Sequence, residues 1–137
     1  MEKIIVNISW AERNFCGSFG EEVPGAVVFT AKTLEGLKRD AQESLDFHFE
    51  GMQEDGDNVP QWWINKDYEF VWNYTDVASL IRSCEPYVSM AALSRVSGIN
   101  QNLLSQYANN MKRPRPQQRQ KIVDSIHEIG ARLIAVV

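Results

Sequence analysis

Along the first eighty residues the spacing of hydrophobic positions changes from two to about 3.6 and back again. Over residues 3–10, Ile4, Val6, Ile8 and Trp10 alternate with a more polar set that includes Asn7 and Ser9, the period of a half-buried strand. Ala11 to Asn14 form a polar turn. Phe15, Gly17 and Phe19 then alternate with Cys16 and Ser18, so a second strand is expected to return antiparallel to the first. Glu21 to Gly25 interrupts the pattern with a Pro-Gly turn signal, and residues 26–31, AVVFTA, supply a third strand. From Thr33, a suitable N-cap, Leu34, Leu37, Ala41, Leu45 and Phe49 recur at spacings of three and four, which predicts a helix ending near Gly51 and covering one face of the sheet. Residues 53–61 read as a polar loop. The segment YEFVWNY, with Phe70, Trp72 and Tyr74 alternating, is a fourth strand. Residues 1–75 are therefore expected to form a β-β-β-α-β domain.

Residues 76–137 read as a second, all-α domain, so the fold class is α+β. Within it, Leu93 and Val96 give one short helix an apolar edge, and Ser94 is small enough for another helix to cross close over it. Gly98 stands where the chain must turn sharply and reach positive φ, and a bulky residue there is expected to break the unit. Ile99 anchors the turn, while Leu103, Leu104 and Tyr107 mark the inward face of a second helix. Its other face carries Asn100, Gln101, Asn102, Ser105 and Gln106. Asn and Gln can bond adenine N6 and N7 together in the major groove, and Ser can bond several base edges, so these five are the expected base-reading set. The alternative is a helical hairpin that only completes a fold. In Leu93, Ser94, Gly98, Ile99, Leu104, Ser105 and Tyr107 the segment resembles the helix-turn-helix units of lambda- and lactose-repressor type, with Ser94 in place of the usual alanine.

Charge separates the two halves. From residue 81 onward eight basic residues (Arg82, Arg95, Lys112, Arg113, Arg115, Arg119, Lys121, Arg132) face three acidic ones, a net +5. Residues 1–80 hold six basic and fifteen acidic residues, a net −9. A basic half suits phosphate binding, because each neutralised phosphate releases counterions. Lys112, Arg113 and Arg115 lie just past the expected reading helix, where a loop stiffened by Pro114 and Pro116 can grip the DNA backbone. These three are the expected phosphate-binding residues. Pro116 suits the first turn of a following helix. The stripe Ile122, Ile126, Ile129 and Leu133 along that helix is expected to pack behind the reading helix, with Ala135 to Val137 extending it into a dimer contact.

Composition narrows the class. At 137 residues, 44% hydrophobic and 10% aromatic, the chain is ordinary globular material with room for two small domains. No stretch is long and apolar enough to span a bilayer, and the amino terminus reads as a strand rather than a signal peptide, so a cytoplasmic home is expected. Cys16 and Cys84 are too few and too distant for a disulfide framework or a zinc site.

The first domain also carries a resemblance. A strand at Ile4 to Trp10, a hairpin strand at Phe15 to Phe19, the turn Val23-Pro24-Gly25, a third strand, and the helix start Thr33-Leu34-Glu35 resemble, in that order, the HicB family of antitoxins. The resemblance implies a partial, degenerate RNase H-like domain followed by a helix-turn-helix domain. It implies an antitoxin that holds a basic HicA-type, mRNA-cleaving toxin through its acidic half and represses its own promoter as a dimer. Two reading helices would then sit about 34 Å apart on a palindromic operator. A solitary regulator whose first domain binds a ligand or another protein is the alternative.

RNase H chemistry holds metal ions with several carboxylates, yet Asn7 and Ser9 stand on the first strand where an acid is needed. Glu54, Asp55 and Asp57 lack calcium-loop spacing and read as a solvated loop. His48 and His127 have no partner at ligand spacing and read as core-edge or surface imidazoles, and Cys16 as a packing residue. Trp62 and Trp63 either close the core or offer an aromatic contact surface. An enzyme is not expected, nor is a cofactor or metal.

Overall fold

The computed structural model describes all 137 residues as a mixed α+β chain that divides into two compact units, Met1–Thr75 and Asp76–Val137. No helix is long and apolar enough to cross a membrane.

The first unit contains β1 (Glu2–Ala11), β2 (Asn14–Phe19), β3 (Val28–Ala31), α1 (Leu34–Glu54), α2 (Gln61–Ile64) and β4 (Tyr68–Tyr74). The strands form one sheet in the order β3-β2-β1-β4. Antiparallel pairing joins β1 to β2 and β2 to β3, while β4 lies parallel to β1 with Asn7 opposite Asn73. The strand period is realised in full: Ile4, Val6 and Ile8 are completely buried on the side where Leu37, Ala41, Leu45 and Phe49 of α1 are also buried. Residues of the intervening register, among them Lys3, Ile5, Asn7 and Ser9, belong to the other face. There the Asn73 amide donates to Asn7 Oδ1 at 2.9 Å, and Lys3 pairs with Glu69, whose carboxyl it holds below the usual range.

Four details depart from the sequence pattern. β3 begins at Val28, because Ala26 and Val27 do not pair with β2, although Val27 still packs into the core. α1 runs past Gly51 to Glu54. It ends in a Schellman arrangement, with Gly56 at φ +80, Gly56 N–H on the Gln53 carbonyl (3.0 Å) and Asp57 N–H on that of Met52 (2.9 Å). The stop signal is therefore Gly56, and Gln53 and Glu54 belong to the helix rather than to the loop. The polar loop gives way to the short helix α2, which seats Trp62 and Trp63 edge-on and tilted against Phe49 at 5.6 and 5.4 Å. Trp63 Nε1 donates to Asp46 at 2.9 Å, so both tryptophans close the core. The β1–β2 hairpin turns in two residues, Glu12 and Arg13, both left-handed at φ 51 and 66. This is the geometry that matches strand twist but favours Asn or Gly.

His48 sits half-buried beneath Gly25, with its Nε2 buried and unpartnered, whereas His127 is exposed. The second unit comprises α3 (Val77–Cys84), α4 (Met90–Ser97), α5 (Gln101–Ala108) and α6 (Pro116–Ile134). Its core draws on all four helices: Val77 and Ile81, Leu93, Leu104 and Tyr107, and Ile122, with Ile99 from the turn. Asp76 caps α3 by accepting from Ser79 N–H at 2.8 Å. Burial among these side chains pushes the Cys84 thiol up, which keeps it protonated. Val96 departs from expectation at 36% exposed and stands outside this core, and α6 packs chiefly on α4 rather than behind α5. The α6 stripe is buried at Ile122 and half-buried at Ile126 and Ile129, but Leu133 is 60% exposed.

Gly17 of β2 lies directly under the Phe29 ring, where an added Cβ would fall 2.3 Å from a ring carbon. Gly17→Ala should therefore destabilise the first unit by about 1–3 kcal/mol through overpacking, read as a lower urea midpoint at unchanged slope.

Candidate nucleic-acid interface

The α4–α5 pair is built from local hydrogen bonds outward. Ser89 caps α4 by accepting from Ala92 N–H at 3.0 Å, and the helix closes at Gly98, φ 74 and ψ 6, whose N–H donates to the Ser94 carbonyl at 2.9 Å. The small Ser94 does more than leave room: its hydroxyl donates to the Ile99 carbonyl at 2.6 Å, and the Ser97 hydroxyl accepts from Ile99 N–H at 3.1 Å. Asn100 caps α5 by accepting from Asn102 N–H at 2.8 Å. Three residues thus redirect the chain with its polar groups engaged. Ile99 is buried beneath them.

On α5, Leu104, Tyr107 and Ala108 are buried and Leu103 packs beside them. Gln101, Asn102 and Ser105 are exposed and Gln106 is half-exposed. The side chains of Gln101 and Asn102 make no hydrogen bond within the chain, so their amides are open to a base edge. Asn100 is placed differently, because its oxygen is committed to the cap and leaves the amide nitrogen as its outward group. The far end of α5 closes with Asn110 at φ 56, its N–H on the Tyr107 carbonyl at 3.1 Å and Met111 N–H on that of Gln106 at 2.9 Å.

Lys112, Arg113 and Arg115 follow at once. All three are exposed and none is paired with a carboxylate, and Arg115 holds the N-cap position of α6 ahead of Pro116 at its first turn. This places three free cations beside the C-terminal end of α5 along the chain, the requirement for gripping phosphates next to a helix that faces bases. Two other cations are already engaged: Arg132 pairs with Glu128 at 2.8 Å, and Arg82 is turned inward.

Arg82 is a structural clamp whose role a count of charges does not reveal. From α3 its Nε donates to the Ala108 carbonyl at 3.1 Å, and its guanidinium donates to Asn109 Oδ1 and to Glu85, each at 2.8 Å. Asn109 in turn donates to the Ser105 carbonyl at 2.8 Å. The guanidinium therefore pins the C-terminal turn of α5 to α3 and sets the pitch of the outward face. Only the residue type hints at this, since a contact across 26 positions leaves no periodic trace.

Comparison of the chain with protein-family models, with curated proteins and with solved structures finds no match.

A Cβ at Gly98 would meet nothing within 4 Å, so bulk is not the constraint there; the left-handed backbone is. Gly98→Ala should cost about 1–2 kcal/mol and Gly98→Asn distinctly less, as measured by urea unfolding. Arg82→Met should cost about 1.5–3 kcal/mol by removing charged hydrogen bonds from a half-buried site. A phosphate-binding role would instead leave stability unchanged.

Proposed function

We propose that this chain is an antitoxin and transcriptional autorepressor of the HicB kind. The second unit is a lambda-repressor-like helix-turn-helix that binds operator DNA as a homodimer. The first is a partial RNase H-like domain that neutralises a HicA-type mRNA-cleaving toxin. The protein acts in the cytoplasm, needs no cofactor and is not an enzyme.

The observation that carries the reading is the α4–Gly98–α5 unit. A rigid three-residue turn presents Gln101, Asn102 and Ser105 outward with their polar groups free, beside the unpaired cations Lys112, Arg113 and Arg115. Amides of this type are suited to adenine edges and the cations to phosphates. The toxin-neutralising half of the proposal is supported by the β-β-β-α-α-β order with β4 parallel beside β1, and by Asn7, bonded to Asn73, on the first strand in place of the acid that metal-dependent nuclease chemistry needs there. Charge supports the division of labour, since an acidic unit attracts a basic ribonuclease and speeds encounter.

On the promoter upstream of its own gene, Gln101→Ala and Asn102→Ala should each lose about 1–3 kcal/mol of affinity, with little change on random DNA. Arg113→Ala should weaken both and flatten the salt slope by about one. Equal losses for all three on every sequence would exclude base reading. Co-purification with a small basic ribonuclease encoded beside it is expected; promoter binding without any such partner would leave a solitary regulator.

A further inference from the structure

β3 ends the sheet. It pairs with β2 alone, and its other backbone edge carries no strand. Natural sheets usually guard such an edge with lysine, proline or a bulge, yet β3 reads Val-Phe-Thr-Ala with none of these within it. Beside this edge runs an open cleft of about 750 Å³, with Val28 on one wall and Phe47, Gly51 and Met52 of α1 on the other. Its apolar groups are turned outward: Phe47 is 80% exposed although Phe49, two residues on, is fully buried, and Val28 is 70% exposed.

The α1 wall has an order that an occupant can use. Glu43, Phe47, Gly51 and Asp55 recur every four residues and so lie in one row along the helix. Phe47 is an apolar platform. Next to it a Cβ on Gly51 would meet nothing within 4 Å, so the row has a gap of side-chain size. Carboxylates close both ends. An added strand fits this arrangement, because its backbone would pair with β3 while alternate side chains reach Phe47 and the Gly51 gap and its cations reach Glu43 and Asp55. The first unit holds six basic and fourteen acidic residues, a net −8, which attracts a cationic partner and disfavours a second copy of the same unit.

We propose that the outer edge of β3 and the Phe47 face of α1 form a docking groove that takes an extended, lysine- or arginine-bearing segment of a basic partner protein as a fifth strand. This deepens the antitoxin reading and rests on it for the partner's identity.

The test uses the full chain and an octapeptide of alternating lysine and valine, N-methylated along one backbone edge so that it cannot associate with itself. Amide NMR should place its binding at residues 28–31 and 43–55. Gly51→Trp, which fills the gap without touching the core, and Phe47→Ser, at an exposed position, should each weaken it at least tenfold, while promoter binding stays unchanged. A peptide methylated on both edges should not bind. Absence of binding, shifts confined to other residues, or wild-type affinity in both variants would overturn the groove. If the Gly51→Trp chain holds the neighbouring gene's ribonuclease as tightly as the wild type does, the groove fails and the antitoxin reading stands. If no such ribonuclease exists but the peptide binds as described, the antitoxin reading fails and the groove stands.

Discussion

The orientation of α5 depends on closing a helix turn within three residues while leaving no buried polar group unmet. Left-handed Gly98 ends α4 on the Ser94 carbonyl. The hydroxyls of Ser94 and Ser97 take the two backbone groups of Ile99, and Asn100 accepts from the Asn102 N–H in the first turn of α5. A buried donor or acceptor left unpaired costs about 1–3 kcal/mol, so alternative paths through this turn are strongly disfavoured. With the turn locked, Leu104 and Tyr107 must point into the core and Gln101 and Asn102 must point out. Arg82 completes the arrangement from the opposite end by holding the last carbonyl of the helix.

The two units solve different problems with the same chemistry. In the second, polar side chains near the turn bond backbone groups, while the amides of Gln101 and Asn102 and the cations of Lys112, Arg113 and Arg115 stay exposed. In the first, one sheet face and one helix face bury each other, with Phe49, Trp62 and Trp63 sealing one end through ring contacts. The residues of that unit carry a net negative charge. The two units also differ in the sign of their net charge, which sets opposite electrostatic fields around them.

Periodic features were readable from the chain. Alternation gave the buried set Ile4, Val6 and Ile8, and the three-four spacing gave the inward face of α1 from Leu37 to Phe49. The same logic marked Leu104 and Tyr107, and glycine chemistry marked Gly98. Short elements leave little trace in the sequence: α2 has four residues and too little repeat to show a period, and α3 is marked only by Asp76 before Val77, Leu80 and Ile81, a cap and stripe in miniature. Gly51 resembles a stop because glycine is rare inside helices, but the Schellman bonds at Gly56 decide where α1 ends.

By itself the sequence determined which residues face inward on each long element, where the chain turns, and that its two ends differ in charge, because hydrophobic period and backbone stereochemistry act over only a few positions. Tertiary structure alone decided that Arg82 is a clamp rather than a phosphate ligand, that Asn100 serves the cap, that α6 lies on α4, and that an open cleft runs beside β3. Each of these joins residues far apart in the chain, or chooses between two uses of the same polar group. Local pattern holds no record of that choice, since it is settled by which partner the folded backbone brings within hydrogen-bonding reach.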